Sequence, residues 1–233
     1  MADSMKNELL QISEIYFSIQ GESSYTGLPC VFVRLTGCDL RCAYCDSAYA
    51  FTGGQRMSLD EIIQKVEALA CRLIEITGGE PLLQKNVLPL MKRLCDAGKT
   101  VLLETSGAHD ISTVDPRVIR IMDLKCPSSG ESDRNLWSNL PHLRQSDEIK
   151  FVIGSREDFE WARDRVREHA LDQKARCALF SPTFRTSAVP GQISGHDGIE
   201  PRRLAEWILE EKLPVRFQPQ IHKHIWAPTA RGV

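Results

Sequence analysis

Short apolar runs alternate with amphipathic stretches along most of this chain. Residues 31–35 (VFVRL) have the apolar content of a buried strand. Ser58-x-x-Glu61 is a capping box, and Ile62, Ile63, Val66 and Leu69 share one face of the helix it opens. Residues 73–77 (LIEIT) predict the next strand. Val87, Leu88, Leu90, Met91 and Leu94 form a second helical stripe, which Gly98 stops. Residues 100–104 (TVLLE), 118–124 (VIRIMDL), 148–153 (EIKFVI) and 176–180 (RCALF) predict further strands. Ser155 caps a helix reaching about His169, Pro201 opens one reaching about Glu211, and residues 215–218 close the series. Strands alternating with helices predict an α/β fold, either a mostly parallel sheet or an incomplete (β/α) barrel. Residues 101–151 are poor in helix and 128–139 read as loop, so a full eight-unit barrel is not expected.

Polar groups collect where the predicted strands end. They include Gly37 with the segment after it, Thr77 to Glu80, Glu104 to Gly107, Asp123 with Lys125, Lys150, Ser181 with Pro182, and Gln218 to His222. Barrels and open α/β sheets bind ligands at that face, so these groups are expected to converge on one pocket. The 233 residues with 42% hydrophobic content suit one domain spanning 1–233. The net charge of −2 and the lack of a basic block give no reason to expect a nucleic-acid groove. No stretch has the apolar length to span a bilayer and the start carries no signal peptide pattern, so the expected location is the cytoplasm.

Of the eight cysteines, three cluster, as Cys38-x-x-x-Cys42-x-x-Cys45. In a cytosolic chain such a cluster points to metal ligands rather than disulfides. Most structural iron–sulfur clusters and closed zinc sites use four ligands. A [4Fe–4S] cluster held by three thiolates keeps one iron open, and that iron can take the amino and carboxylate groups of S-adenosylmethionine (SAM). The competing reading is a zinc knuckle with a distant fourth ligand such as Cys30 or Cys71. The scattered Cys30, Cys71, Cys95, Cys126 and Cys177 suit roles as small apolar side chains.

Residues 74–81 (IEITGGEP) end a strand with two glycines, which let the backbone approach a ligand closely. That edge suits the SAM amino group, with Glu80 assisting. Ser106 suits the SAM ribose or carboxylate. Tyr44 can shield the cluster or stack near the adenine. Ser47, after the last clustered cysteine, offers a hydroxyl to a hard cation such as Mg²⁺.

Residues 14–51 (EIYFSIQGESSYTGLPCVFVRLTGCDLRCAYCDSAYAF), together with ITGGEPLLQ, LETSG, DLKCPSSGE and FQPQIHKHIW, resemble the 7-carboxy-7-deazaguanine synthase family. The resemblance spans nearly the whole chain and departs from the common pattern at Asp39, where asparagine is usual. It implies a radical SAM type of incomplete barrel, with an N-terminal substrate-binding segment and a C-terminal closing segment. It also implies a lyase of 7-deazapurine (queuosine precursor) biosynthesis that converts 6-carboxy-5,6,7,8-tetrahydropterin to 7-carboxy-7-deazaguanine and ammonia. The cofactors implied are a [4Fe–4S] cluster on Cys38, Cys42 and Cys45, SAM, and Mg²⁺ on Ser47. By position, Ile19, Gln20, Gly21 and Glu22 would meet the pterin, Arg34 its carboxylate, and Thr77 the substrate as well. Tyr44, Cys45, Asp46, Gly79, Ser106, Lys150, Ser181, Pro182, Thr183 and Phe184 would contact SAM. His222 would close the pocket, with the terminal RGV folding over it. A homodimer and an electron donor such as a flavodoxin are also implied. Two other readings stay open at this point: a radical SAM activase acting on a partner protein, and a non-enzymatic zinc-binding module.

Overall fold

The computed structural model describes residues 8–227 and 230–233. Its strands join one nine-stranded sheet. β1 (Leu9–Ile19) and β2 (Pro29–Leu35) form an antiparallel hairpin, and β3 (Gln55–Ser58) pairs with the outer side of β1. From β2 the sheet continues through β4 (Leu73–Gly78), β5 (Thr100–Thr105), β6 (Ile119–Asp123), β7 (Glu148–Ile153), β8 (Cys177–Pro182) and β9 (Arg216–Phe217), every neighbour parallel. This is the incomplete, mostly parallel barrel expected from the strand–helix alternation.

Strand pleating gives the sheet two different faces. Outward residues such as Val31, Val33, Ile74, Ile76, Val101 and Leu103 belong to the main apolar core. They share it with the buried stripes of α1 (Leu59–Ala68), α2 (Val87–Asp96), α3 (Arg156–His169) and α5 (Pro201–Glu210). The inward face starts apolar, with Cys30, Phe32, Leu73, Leu102 and Ile121 in a separate small cluster. Further along, and on β7, it turns polar at Glu75, Thr77, Glu104, Asp123 and Lys150. The helix starts are those the sequence announced. Ser58 and Glu61 make the reciprocal capping box of α1, and Ser155 accepts from the Asp158 N–H to cap α3. Two short helices, α4 (Leu171–Lys174) and α6 (His222–Ile225), complete the set.

β1 and β3 were not among the expected strands. A register shift between Ile12 and Glu14 breaks the period-two pattern of β1, which is what made it illegible as a strand. Between β5 and β7 the connections lack an α-helix, as the loop reading of 128–139 anticipated. Three 3₁₀ turns, Pro127–Ser129, Ser132–Arg134 and Trp137–His142, take its place. Two buried amides carried by this stretch satisfy backbone groups of the neighbouring segments. Asn135 both accepts from the Lys125 N–H and donates to the Lys125 carbonyl, while Asn139 bridges Ile111, Gly107 and His109. Among the described residues no helix is long and apolar enough to cross a membrane.

One buried ion pair fastens this helix-poor side. Arg120 on β6 donates from Nε to Asp147 Oδ2 (3.0 Å) and from Nη1 to the Ile111 carbonyl (3.2 Å). Both side chains are almost wholly shielded from solvent. Removing one member of such a pair strands the other charge. Arg120→Met is therefore expected to cost about 3–5 kcal/mol of stability in urea unfolding; a loss below about 1 kcal/mol would show that the pair is not the fastening.

Candidate active site

The three clustered thiols follow β2 and line a cavity of about 250 Å³ at the C-terminal end of the parallel strands. Their loop is held from outside. The Ala43 N–H donates to the Ser129 carbonyl (3.0 Å), and the Arg41 N–H to Glu131 (2.6 Å). Asp39 pairs with both His109 (3.1 Å) and Arg134 (2.7 Å). Burial pushes all three thiols up, Cys45 to about 12. A bound cation is what favours the thiolates in such surroundings. Lys125, half-buried and paired with Asp123 at 2.7 Å, adds positive charge beside them.

The donor set fits a [4Fe–4S] cluster: three soft ligands on one loop facing a shared cavity. Among the described residues, no group of three or more His, Cys, Asp or Glu is gathered closely enough for a single metal ion. The fourth ligands that a zinc knuckle would borrow lie elsewhere. Cys30 belongs to the apolar cluster near the start of β2, and Cys71 precedes β4, whose far end reaches the glycine pair.

The glycine pair brings β4 against the thiol loop. The Glu80 N–H donates to the Gly37 carbonyl at 2.8 Å. A Cβ on Gly79 would collide with that carbonyl and with Cys38. Gly79 and Thr77 line the cavity, but Glu80 does not. Its carboxylate accepts from the Leu82 N–H (2.9 Å), the Thr105 hydroxyl (2.9 Å) and the Ser106 N–H (2.7 Å), so it clamps the ends of β4 and β5 together. Glu80, expected beside the SAM amino group, is placed by the structure in this clamp.

The opposite wall is the turn between β1 and β2. Ile19, Gln20, Gly21 and Glu22 all line the cavity. Glu22 pairs with Lys150 and accepts from Gln220 (2.7 Å). Burial alone would raise its carboxyl, but Lys150 and His222 override that and hold it at about 2. Lys150 lies between Glu22 and Glu104, the latter at 3.4 Å. Its ammonium is thus paired on the turn side of the cavity. Burial pushes Glu104 up to about 7 despite Lys150. Arg34 also lines the cavity, with Nε on Glu14 (2.8 Å), Nη2 on the Tyr16 hydroxyl (2.9 Å), and the Tyr16 and Tyr49 rings near its guanidinium.

The remaining expected residues divide clearly. Tyr44, Asp46, Ser47, Ser106, Thr183, Phe184 and His222 line the cavity; Ser181 and Pro182 do not, because both are buried inside β8 below it. Ser47 donates to Asp46 at 2.9 Å, and Asp46 is paired with Lys223 of α6. The terminal residues Ala230 to Val233 also line the cavity, with the Arg231 guanidinium 4.0 Å from the Tyr49 ring centre. The sequence reading missed Glu75, Tyr16, Tyr49 and Lys223. Glu75 had a signal: a charge inside the apolar run LIEIT.

An open parallel sheet carrying a three-thiol loop beside a cavity at its strand ends defines a radical SAM enzyme, and the model of the Radical SAM superfamily matches residues 32–124. A protein of Koribacter versatilis named 7-carboxy-7-deazaguanine synthase is 51% identical over 226 residues, covering 96% of this chain and all of that one. Its namesake from Chlorobaculum tepidum is 46% identical and covers 96% of this chain and 97% of its own. The chain belongs to the 7-carboxy-7-deazaguanine synthase family. Among solved structures, QueE from Escherichia coli matches with a TM-score of 0.71 at 23% identity, covering 93% of this chain and 96% of that one. Streptococcus suis SuiB bound to S-adenosylmethionine matches with a TM-score of 0.57 at 16% identity over 79% of this chain and 48% of that one. These two likenesses concern the fold.

The raised carboxyl of Glu104 has a measurable consequence. A group whose folded-state pKa lies above its unfolded value costs stability as pH rises from the unfolded value toward the folded one. For Glu104 that window runs from 4.5 to about 7. Glu104→Gln removes the titration. Its melting temperature relative to the parent is therefore expected to improve across that window, and a constant difference would refute the assignment.

Proposed function

We propose that the protein converts 6-carboxy-5,6,7,8-tetrahydropterin to 7-carboxy-7-deazaguanine and ammonia as a radical SAM lyase of 7-deazapurine biosynthesis. The observation that carries this is the single cavity joining the three thiols to the Ile19–Glu22 turn and Arg34. When bound, the cluster and SAM supply a one-electron cleavage and a carbon radical that takes hydrogen from the substrate.

The chain's own residues divide the work around that chemistry. Cys38, Cys42 and Cys45 hold the cluster. Tyr44 to Asp46, Gly79, Ser106, Thr183 and Phe184 form the SAM side. The turn at Ile19–Glu22 and Thr77 meet the flat pterin at its edges. Arg34 retains N–H groups beyond those given to Glu14 and Tyr16, and a guanidinium suits a carboxylate better than an ammonium does. The Tyr16 and Tyr49 rings lie near the guanidinium and displace part of the solvent around it, which strengthens such an ion pair. His222 lies against Gly21, where a Cβ would strike its ring, and so covers the turn. Ser47 and Asp46 offer oxygen ligands to Mg²⁺, which also takes substrate oxygens. The wider reading is a cytoplasmic homodimer supplied with electrons by a donor such as a flavodoxin.

The test is anaerobic incubation of the reconstituted protein with SAM, Mg²⁺, reductant and the pterin, followed by mass spectrometry. 7-Carboxy-7-deazaguanine without stoichiometric loss of SAM is expected. Cleaved SAM with no deazapurine would retain the enzyme class and discard the substrate. Arg34→Ala is expected to weaken pterin binding by one to two orders of magnitude, roughly the worth of a charged hydrogen-bonded contact, while SAM still binds. Unchanged pterin affinity in a folded variant would remove Arg34 from the substrate site.

A further inference from the structure

Glu75 stands where the pattern of β4 calls for an aliphatic residue. It is 3% exposed, lies on the same strand face as Thr77, and contributes to the cavity wall. Its Oε2 accepts from Gln20 Nε2. The other end of that amide is also occupied, because Gln20 Oε1 accepts from the Glu22 N–H at 2.6 Å. The Gln20 backbone is tied as well, its N–H to the Leu28 carbonyl and its carbonyl to the Gly27 N–H, both at 2.8 Å. Gln20 is therefore not a free edge for a ligand. It is a bridge from β4 into the turn, and its two ends are chemically different.

An amide can turn over and exchange its oxygen for its nitrogen. Were Gln20 to do so, its NH₂ would confront the Glu22 N–H, donor against donor. The partner at the other end decides which orientation holds. We propose that Glu75 is a positioning residue for substrate recognition: by accepting from Gln20 Nε2 it orients the Gln20 amide, which fixes the Ile19–Glu22 turn that faces the pterin. The proposal rests on the pterin reading given above.

The electrostatic surroundings agree. Glu104 on β5 and Glu22 on the turn face Glu75 with negative charge, while Lys150 on β7 and Arg34 on β2 face it with positive charge. Cys30 and the Tyr16 phenol lie beside it as groups that stay neutral. Burial first, and then the two acids, push the Glu75 carboxyl well above the usual range. Its oxygen serves as the acceptor toward Gln20 beside a cavity floor where Lys150 already holds two other acids. A glutamine has the same shape, can offer its oxygen to Gln20, and can turn its NH₂ toward the neighbouring carboxylates. A leucine fills the space but leaves Gln20 Nε2 buried without a partner.

The test compares pterin binding, SAM binding and thermal stability in reconstituted Glu75→Leu, Glu75→Gln, Gln20→Leu and Glu75→Leu/Gln20→Leu. Glu75→Leu is expected to weaken pterin binding about tenfold, the scale of one buried polar group left unpaired, with SAM affinity unmoved. Glu75→Gln should restore most of that loss. In the double variant the effect of Glu75→Leu should vanish, because the amide it orients is gone. Pterin affinity unchanged in Glu75→Leu, or losses that add in the double variant, would overturn the proposal. Should Glu75→Leu not fold, Glu75→Gln decides: pterin affinity reduced about tenfold would overturn it, while near-parental affinity that depends on Gln20 would support it. Failure of the parent protein itself to bind the pterin would instead remove the underlying substrate reading.

Discussion

A buried ammonium needs carboxylates within reach, because its attraction to them has to offset the loss of its water shell. Lys150 obtains them from distant parts of the chain: Glu22 from the first hairpin turn and Glu104 from β5. Glu148, two residues earlier on the same strand face, holds the same turn by accepting from the Ser24 N–H at 3.0 Å. β1 and β2 lie at the other end of the sheet from β7, four strand pairings away from β2 to β7. The turn must therefore cross the inner face to reach these partners. That crossing makes the hairpin turn a wall of the cavity rather than a solvent loop, and it sets the backbone of Ile19 to Gly21 opposite the thiols.

The thiol side is organised on a different principle. Its anchors are neutral or surface-exposed contacts: backbone bonds to Ser129 and Gly37, the Arg41 tie to Glu131, and the Asp39 pairs. None of these uses a sulfur as its main support. The sulfurs are thus left to a ligand, and their raised pKa values mean that ligand has to supply the charge that ionises them. Lys125 contributes one such charge from the protein. Its backbone is fixed on both sides by Asn135, which keeps the ammonium beside the loop.

Much of this was legible from residue patterns. The parallel strands and the caps of α1 and α3 follow from periodicity and from Ser58 and Ser155. The thiol loop, the glycine pair and the Gln20–Glu22 turn were readable as motifs. What sequence alone obscured was direction and commitment. Glu80 and Gly79 are adjacent, yet one clamps two strands and the other faces the cavity, because neighbouring side chains on extended backbone point apart. The placement of Ser181 and Pro182 was hidden for a related reason, since β8 continues two residues beyond Phe180 and buries them. Lys150 was expected beside SAM, and only the fold reveals the two acids that hold it. The bulge in β1 hid a whole strand by shifting its alternation.

The closing segment shows why the two halves of the cavity belong together. Within a few residues the chain end touches both. On the turn side, the Ile221 N–H donates to the Gly21 carbonyl (3.0 Å), Gln220 reaches Glu22, and His222 lies against Gly21. On the thiol side, Lys223 pairs with Asp46, and Arg231 stacks on Tyr49, whose hydroxyl donates to the same Glu14 that holds Arg34. His222 and Lys223 are consecutive and face opposite halves. A displacement of α6 thus cannot loosen one half without pulling on the other. The geometry therefore argues against two independent ligand sites that happen to adjoin: one short segment covers both, and its cover over the turn depends on the same backbone that holds the Asp46 pair.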